Sequence, residues 1–366
     1  MSVAILRSIG FSTDSRAVRF KKLIEQEELR VSIFDWGSDT ESVEETCMFE
    51  RRRGSKLRNI LLTPLFMLWL FAVLVRKRKK IDVVFAIDLD TAIPGFFAAK
   101  LMDVPFVYDI ADPFSLGRLG HSVWIIDSLE GWIASKANIS IIPDRCRAVF
   151  YKSDINWLVI ENVPDFKLME ASVLSEKLDR EELIVGYFGT LETKHRGLED
   201  LVSCVQENEH YRLLIGGSGE LEGRLRSESE KSSRIEFIGR FDQKELLKLM
   251  HQVDVLYAPY YITKEHHKYV AANKTYEHLL AGKPIITSSG SNFSKIIDAW
   301  GTGYCFNAGQ CGLGSVLEVV RLDSEGRLDK SKTATDIWKS QYSDYWANSV
   351  EVHRFSETFR RLHEPS

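Results

Sequence analysis

Residues 273–286 read Asn-Lys-Thr-Tyr-Glu-His-Leu-Leu-Ala-Gly-Lys-Pro-Ile-Ile, and this stretch decides how the rest of the chain is interpreted. It predicts a helix that begins on polar residues, ends at Gly282 and leads through a proline into a short apolar strand. The amino end of a helix has unpaired N–H groups and a positive dipole end, so it attracts anions such as phosphate. Lys274 adds a full positive charge there, and Glu277 can accept hydrogen bonds from sugar hydroxyls. An ordinary helix of an α/β domain has the same glycine cap, so both interpretations remain open on this stretch alone.

The composition indicates a soluble globular chain with two domains. A chain of 366 residues is long for one hydrophobic core, and its 44% hydrophobic and 27% charged residues are ordinary for such proteins. The net charge of −4, without interleaved basic and aromatic residues, argues against nucleic-acid binding. The five cysteines are scattered and lack metal-ligand spacing, which favours reduced thiols. The amino terminus has no signal-peptide pattern, so we expect an intracellular, cytoplasmic protein.

Apolar stretches of strand length alternate with amphipathic stretches of helix length, which predicts parallel α/β units. The pattern runs through the first 162 residues and starts again at Leu183, after a charged segment that begins with the turn signal Val163-Pro164-Asp165. We therefore predict an α/β fold of two doubly wound, Rossmann-like domains that face a cleft. The predicted domains are residues 1–162 and 163–341, and the helix in 342–366 could pack back on the first. Sheets of this kind bind ligands at the carboxyl ends of their strands.

Polar, glycine-containing segments follow the predicted strands of the second domain. Gly189 ends the first of these strands, and Arg196 follows in a loop where its guanidinium could hold a phosphate with two parallel hydrogen bonds. The next strands end in Gly216-Gly217-Ser218-Gly219 and in Gly239-Arg240, where the backbone could approach a ligand closely. A solvated loop and ordinary strand ends would give the same local patterns.

Taken together, these segments resemble the donor-binding half of glycosyltransferase family 4 enzymes, which have the GT-B fold. The resemblance covers about residues 183–310. Its five ordered motifs are Phe188-Gly189…Arg196-Gly197, Gly216-Gly217-Ser218-Gly219, Phe237-Ile238-Gly239-Arg240, Val253-Asp254-Val255…Pro259 and Asn273-Lys274-Thr275-Tyr276-Glu277…Ala281-Gly282-Lys283-Pro284. The first half resembles the family more loosely, through Asp88-Leu89-Asp90-Thr91…Pro94-Gly95 and Val107-Tyr108-Asp109.

The resemblance implies a role for each matching donor-site position. Arg196 stands where the family usually has a lysine and would touch the donor diphosphate, Glu277 would hold the ribose hydroxyls, and Gly239 with Arg240 would meet the base. Tyr269 replaces a glutamate that often contacts the donor sugar, which is a departure from the family pattern. The complete predicted donor site comprises Gly189, Arg196, Gly217, Gly219, Gly239, Arg240, Asn273, Lys274, Thr275 and Glu277.

The expected reaction breaks a sugar–phosphate bond, which places positive charge on the sugar ring and negative charge on the departing diphosphate. Arg196 and Lys274 would stabilise that leaving group without a metal, so no cofactor is expected. The resemblance implies retention of the anomeric configuration and places Asp109 towards the acceptor. Either Asp109 or Asp112 could take the acceptor proton, and either could instead be a strand-end acid or a helix cap.

Asp88 and Asp90 form a second acidic motif on the predicted acceptor side. A pair of aspartates can hold a divalent cation for a nucleotide-sugar, as in glycosyltransferases that have one nucleotide-binding unit. Because this chain has the pattern of two units, we favour acids that end a strand and cap a helix near the acceptor.

Residues 51–80 contain ten Lys or Arg and no Asp or Glu, although the chain is acidic overall. Thr63-Pro64 predicts a helix start, and the apolar run that follows is shorter than the roughly 20 residues of a membrane span. A buried crossover helix is one interpretation. We prefer a helix with one face on the sheet and the other in an anionic membrane surface.

The sequence thus predicts a glycosyltransferase peripheral to the inner face of the membrane. It would move a sugar from a nucleotide-diphosphate sugar to a glycan or lipid-linked acceptor in polysaccharide or glycoconjugate biosynthesis. A nucleotide-dependent oxidoreductase that uses the glycines of residues 217–223, and an inactive nucleotide-sugar-binding protein, are the alternatives.

Overall fold

The computed structural model describes residues 2–11, 14–36, 43–46, 56–152, 154–165 and 182–362. The chain divides into two compact units. Unit 1 comprises Met1–Asn162 with Asp344–Ser366, and unit 2 comprises Val163–Ser343. Each unit is built on a parallel sheet covered by helices, so the predicted α/β class with two wound sheets is confirmed.

The sheet of unit 1 has its strands in the order β3-β2-β1-β4-β5-β6-β7, all parallel. The direction of winding reverses between β1 and β4, and the carboxyl ends of these strands are where open α/β sheets bind ligands. The strands are β1 Ser2–Arg7, β2 Arg30–Asp35, β3 Val43–Thr46, β4 Val83–Ile87, β5 Phe106–Asp109, β6 Ile139–Ile142 and β7 Trp157–Val159.

Helices cover both faces of this sheet. On one face, Phe20 packs on Phe85 and Phe355, with ring centroids 4.9 Å and 5.8 Å apart, which places the last long helix of the chain in the core of unit 1. On the other face, buried residues of α2, α3 and α4 form one cluster with those of β1, β4 and β5. The helices are α1 Ser15–Gln26, α2 Lys56–Arg76, α3 Leu89–Met102, α4 Trp124–Lys136, and, after unit 2, α12 Tyr345–Asn348 and α13 Val350–Arg361.

Helix α2 begins earlier than the sequence predicts. Pro64 lies inside the helix, so the predicted start at Thr63-Pro64 is wrong. Proline removes one backbone hydrogen bond, but the Thr63 hydroxyl donates to the Asn59 carbonyl over 2.9 Å, and the buried Phe66 and Leu70 anchor the following turns. By length and composition, the segment Arg58–Arg76 is the one helix of the described chain that could cross a membrane.

Unit 2 repeats the architecture with six parallel strands in the order β10-β9-β8-β11-β12-β13. Its winding reverses between β8 and β11. The strands are β8 Leu183–Leu191, β9 Tyr211–Gly219, β10 Ile235–Gly239, β11 Val255–Tyr257, β12 Ile285–Ser288 and β13 Gly303–Phe306. The helices are α5 Leu198–Glu207, α6 Glu222–Lys231, α7 Gln243–His251, α8 Lys274–Ala281, α9 Asn292–Trp300, α10 Gln310–Leu322 and α11 Ser324–Ile337.

Candidate active site

The loop after β8 presents Arg196 at the carboxyl edge of the sheet of unit 2. The guanidinium carbon lies 4.5 Å from the centroid of the Tyr260 ring, and the side chain is 21% exposed. The backbone of the loop is fixed, because Tyr261 N–H donates to the His195 carbonyl over 3.0 Å. Gly197 adopts a φ of +55°, and a Cβ there would lie 2.6 Å from the Tyr261 hydroxyl oxygen. Arg196 is therefore held by stacking on a rigid loop, which is a suitable arrangement for binding an anion.

An acid that the sequence analysis did not single out lies beside this arginine. Glu192 is 3.6 Å from Arg196 Nε and 2.7 Å from His195 Nε2. The hydrogen bond from His195 holds the pKa of Glu192 below its ordinary value. Glu192 thus balances part of the positive charge of the loop. A bound anion would have to compete with Glu192 for Arg196.

Helix α8 supplies the second cation. Lys274 and Glu277 form an ion pair whose side chains are 18% and 15% exposed. Behind them His278 is fully buried, with Nδ1 3.0 Å from the Lys274 carbonyl and Nε2 3.0 Å from the Thr302 hydroxyl. Burial lowers the pKa of His278 to about 4, so this histidine is neutral and fixes the first turn of the helix. Because Glu277 already pairs with Lys274, a bound ribose would have to share the Glu277 carboxylate with Lys274.

The side chain of Lys274 runs past the end of β8. A Cβ built on Gly189 would lie 4.0 Å from Lys274 Cε and 3.5 Å from the Tyr187 hydroxyl. Burial raises the pKa of Tyr187, and the nearby charge of Arg196 opposes that rise. Arg196 acts on Tyr187, and Lys274 passes Gly189, so both predicted cations lie near the same end of β8.

Two of the predicted donor-binding glycines are needed by the sheet itself. A Cβ on Gly217 would lie 1.8 Å from the Gly189 carbonyl oxygen, and one on Gly219 would lie 2.4 Å from that of Leu191. Both glycines have positive φ, of 143° and 159°. Close approach of β9 to β8 is thus sufficient to require glycine at both positions, and their part in donor binding stays a prediction.

The other predicted donor-site residues surround the same edge of the sheet. Gly239 has a φ of +74° at the end of β10 and has open space where a Cβ would be, and Arg240 next to it is exposed. Asn273 is exposed at the N-cap of α8 and makes no side-chain cap, whereas Thr275 is buried. Tyr269 ends a 3-10 turn, Glu265–Tyr269, that precedes α8.

In unit 1 the predicted catalytic acid is not available to a substrate. Asp109 is 0% exposed, and its two carboxylate oxygens accept hydrogen bonds from Arg16 Nε and Nη2 over 2.8 Å and 2.7 Å. Arg16 also donates to the Ile160 carbonyl over 2.7 Å. The prediction that Asp109 faces the acceptor is thus corrected, because this carboxylate is the buried partner of Arg16.

Asp88 and Asp90 belong to a charged cluster at the carboxyl ends of β1 and β4. Asp88 has an unusual φ of +67° and pairs with Arg7, which also contacts Asp14 over 2.6 Å. Arg118 Nη2 lies 3.5 Å from Asp90 and 4.0 Å from Asp88. Although burial opposes it, Arg7 and Arg118 hold the pKa of Asp88 below its ordinary value. Guanidinium groups engage both acids, and the described residues contain no grouping of His, Cys, Asp and Glu that could hold a metal ion.

Asp112 is the accessible acid of this edge. Its side chain is 68% exposed and lies 2.6 Å from Arg147, which also donates to the Ala111 carbonyl. At the other end of the loop, the Phe114 N–H donates to the buried Glu130 over 3.1 Å. Of the two sequence candidates, Asp112 is thus exposed, on a loop held at both ends, whereas Asp109 is buried.

Glu130 itself is a buried acid that the sequence analysis missed. Its carboxylate also accepts hydrogen bonds from the Tyr108 and Tyr151 hydroxyls over 3.1 Å and 2.9 Å. Burial raises the pKa of Glu130 to about 8, although these donors oppose the rise. The sequence of α4 around Glu130 does not reveal this environment, because the tyrosines that donate to its carboxylate are distant in the sequence.

Comparison with known proteins identifies the class. Residues 182–313 match the family model described as Glycosyl transferases group 1. Anabaena HepE in complex with UDP has the same fold, with a TM-score of 0.72 at 15% identity over 99% of this chain and 100% of that one. Sucrose-phosphate synthase from Thermosynechococcus elongatus gives 0.74 at 13% identity, with 99% of both chains covered. The protein thus has the GT-B fold, and unit 2 contains a segment similar to the glycosyltransferase group 1 family.

One relative is also found by sequence similarity. The glycogen synthase of Mycobacterium tuberculosis is 25% identical over 281 residues, which cover 71% of this chain. The alignment spans 65% of the length of that enzyme. HepE was also solved with UDP-glucose, at 14% identity and a TM-score of 0.72, covering 98% of this chain and 99% of that one.

Proposed function

We propose that the protein transfers a sugar from a UDP-sugar to a glycan or lipid-linked acceptor. The observation that carries this proposal is the placement of Arg196 and Lys274 at one end of β8 within the glycosyltransferase group 1 domain. Both cations would bind the diphosphate and stabilise it as it leaves, which is the step in which negative charge develops. The UDP and UDP-glucose complexes of HepE support uridine as the donor base.

The two cations also support a reaction that needs no metal, since they supply the charge that a divalent ion would otherwise provide. On the acceptor side, Asp112 would accept the proton of the attacking hydroxyl, because it is exposed on a fixed loop. Retention of configuration rests on the resemblance to family 4 enzymes.

We further propose that the enzyme works at the cytoplasmic face of a membrane in polysaccharide or glycoconjugate synthesis. Helix α2 supports this, because Phe66, Leu70, Val73 and Leu74 are buried whereas Leu61 and Leu68 are 68% and 67% exposed. The basic residues that end the helix would bind anionic lipid headgroups.

The oxidoreductase alternative has lost its main support, because Gly217 and Gly219 are accounted for by packing on β8. The inactive-protein alternative differs from our proposal in turnover and not in binding.

The decisive experiment measures thermal stability with UDP, GDP, ADP, TDP and CMP, followed by UDP-sugar hydrolysis. A ligand that binds the native state raises its apparent stability by mass action. We expect UDP to stabilise the wild type and to lose about tenfold or more in affinity in Arg196→Ala, since a charge-assisted hydrogen bond is removed. Arg212→Ala is the matched control, because Arg212 is an ion-paired arginine at the amino end of β9. Absence of any shift would contradict the proposal, and UDP binding without turnover would favour the inactive protein.

A further inference from the structure

The exposed large hydrophobic side chains of unit 1 are concentrated in one part of it. Trp124 is 79% exposed and Ile125 is 70% exposed, and they are adjacent in the first turn of α4. Most of the other large exposed hydrophobic residues among the described part of unit 1 belong to α2, to α3, to the segment before α4 or to α4 itself. They are Ile60, Leu61, Leu65, Leu68, Phe97, Leu101, Leu119 and Trp132.

The topology places two of these groups at the same edge of the sheet. Helices α2, α3 and α4 lie on one face, since their buried residues share one core cluster. Helix α4 follows β5 and leads into the parallel strand β6, so its first turn lies at the carboxyl edge. Helix α2 leads into the amino end of β4 and has 21 residues, about 31 Å, so its first turns also lie towards the carboxyl edge. The exposed leucines and isoleucine of α2 are in its first thirteen residues.

Trp124 follows a segment whose conformation is fixed by hydrogen bonds. Asp127 accepts hydrogen bonds from the hydroxyls of Ser115 and Ser122, which closes the loop before α4 onto its first turn. Gly120 N–H also donates to the Ser115 carbonyl over 3.0 Å. Because these hydrogen bonds hold the segment at both ends, it does not rearrange to bury Trp124.

The charges around this edge complement an anionic surface. Residues 56–80 contain no acid, and two basic residues, Lys56 and Arg58, belong to the first turn of α2. On α3 and α4, the acids Asp90 and Glu130 are buried, and Asp127 is engaged by its serines. Among the residues described, these three helices contain no exposed acid, and the exposed acids Asp103 and Asp112 lie after α3 and on the loop before α4.

We infer that the apolar edge, defined as Ile60, Leu61, Leu65, Leu68, Leu119, Trp124 and Ile125, inserts into the surface of an anionic lipid bilayer. Tryptophan favours the boundary between headgroups and hydrocarbon, where its ring is apolar and its N–H remains wet. Because Asp112 lies on the loop that leads to this edge, insertion brings the acceptor-side acid to the bilayer surface. The inference rests on the proposed function and narrows its acceptor class to sugars carried on a membrane lipid.

The test uses the full chain and vesicles of phosphatidylcholine with phosphatidylglycerol. The double variant Trp124→Ser/Ile125→Ser should bind these vesicles about tenfold or more weakly in sedimentation, because two large apolar side chains no longer leave water. The matched control is Val319→Ser/Leu322→Ser on α10, whose residues are 54% and 67% exposed, and it should bind as the wild type does. Brominated lipids should quench less fluorescence in Trp124→Phe than in the wild type, while vesicle binding is retained.

The outcomes separate this inference from the proposed function. Equal vesicle binding by the wild type and the Trp124/Ile125 double variant would overturn the inference, as would unchanged quenching in Trp124→Phe. The inference would also be overturned if the wild type did not bind vesicles but formed a dimer that the double variant did not form. That result would favour a protein partner. UDP binding is measured on the same samples without vesicles. If UDP binding persists while vesicle binding fails, only the inference fails, and loss of both defeats the proposed function itself.

Discussion

The carboxyl edges of the two sheets are both rich in charge, but they neutralise it differently. In unit 1, the Arg16–Asp109 pair is nearly inaccessible, with side chains 7% and 0% exposed. In unit 2, Arg196 stacks on a tyrosine ring and Lys274 pairs with an acid on its own helix, and both keep about a fifth of their side-chain surface exposed. The first arrangement stabilises the fold, whereas the second keeps cations where an anion could reach them.

The largest effect should come from breaking the buried pair. Arg16→Leu leaves Asp109 as a buried charge without a counterion, which costs about 3–5 kcal/mol. Urea unfolding followed by tryptophan fluorescence measures this loss. The double variant Arg16→Leu/Asp109→Leu should recover much of it, since both charges are then absent. A loss below about 1 kcal/mol for Arg16→Leu would show that Asp109 reaches water and would return it to the list of acceptor-side candidates.

The next effect concerns pH and the loop that carries Asp112. The pKa of Glu130 is about 8 in the fold and near 4.5 when unperturbed, so the native state binds this proton more tightly than the unfolded state. The resulting stability is complete below about pH 4.5 and is lost as the pH rises through 8. Between pH 5 and 8, urea midpoints of the wild type should therefore fall relative to those of Glu130→Gln. Parallel curves for the two proteins would mean that Glu130 is already ionised.

Within unit 2, Lys274→Met should separate binding from stability. We expect UDP affinity to fall about 10- to 100-fold by calorimetry, because a charge-assisted hydrogen bond to the diphosphate is lost. The free energy of unfolding should change by less than about 1 kcal/mol, as for other partly exposed ion pairs. Lys231→Met removes a similar pair with Glu228 at the end of α6 and serves as the control. Equal effects of the two variants on UDP affinity would remove Lys274 from the site.

The smallest effect should come from the ring under Arg196. Tyr260→Leu removes the cation–π contact, which contributes about 0.5–1 kcal/mol, so UDP affinity should fall about two- to fivefold. Tyr260→Phe keeps the ring and should bind UDP as the wild type does. If the two variants weaken binding equally, the hydroxyl of Tyr260 and not its ring positions Arg196.

Local patterns predicted much of the fold and less of the site. The long apolar strands β1, β4, β8 and β9 were evident from their composition, whereas β3, β7 and β13 have three or four residues and give little periodic signal. The donor-side cations could be predicted because their motifs are local in sequence. The partner of Asp109 is 93 residues away, so an acid at a strand end could not be assigned as paired or free. Gly217 and Gly219 are required by the close backbone of β8, and their spacing along β9 does not reveal this requirement.

The placement of α13 in unit 1 has a consequence for synthesis on the ribosome. Unit 2 is continuous in the chain, so all of its residues are available before the last helix emerges. Unit 1 lacks Phe355 and Phe359, which are 1% and 0% exposed in its core, until all of unit 2 has been synthesised. The second unit can therefore finish folding first, although domains usually fold in order from the amino terminus. A released chain truncated after Ser349 should show a protease-resistant unit 2 beside a unit 1 that is still cleaved.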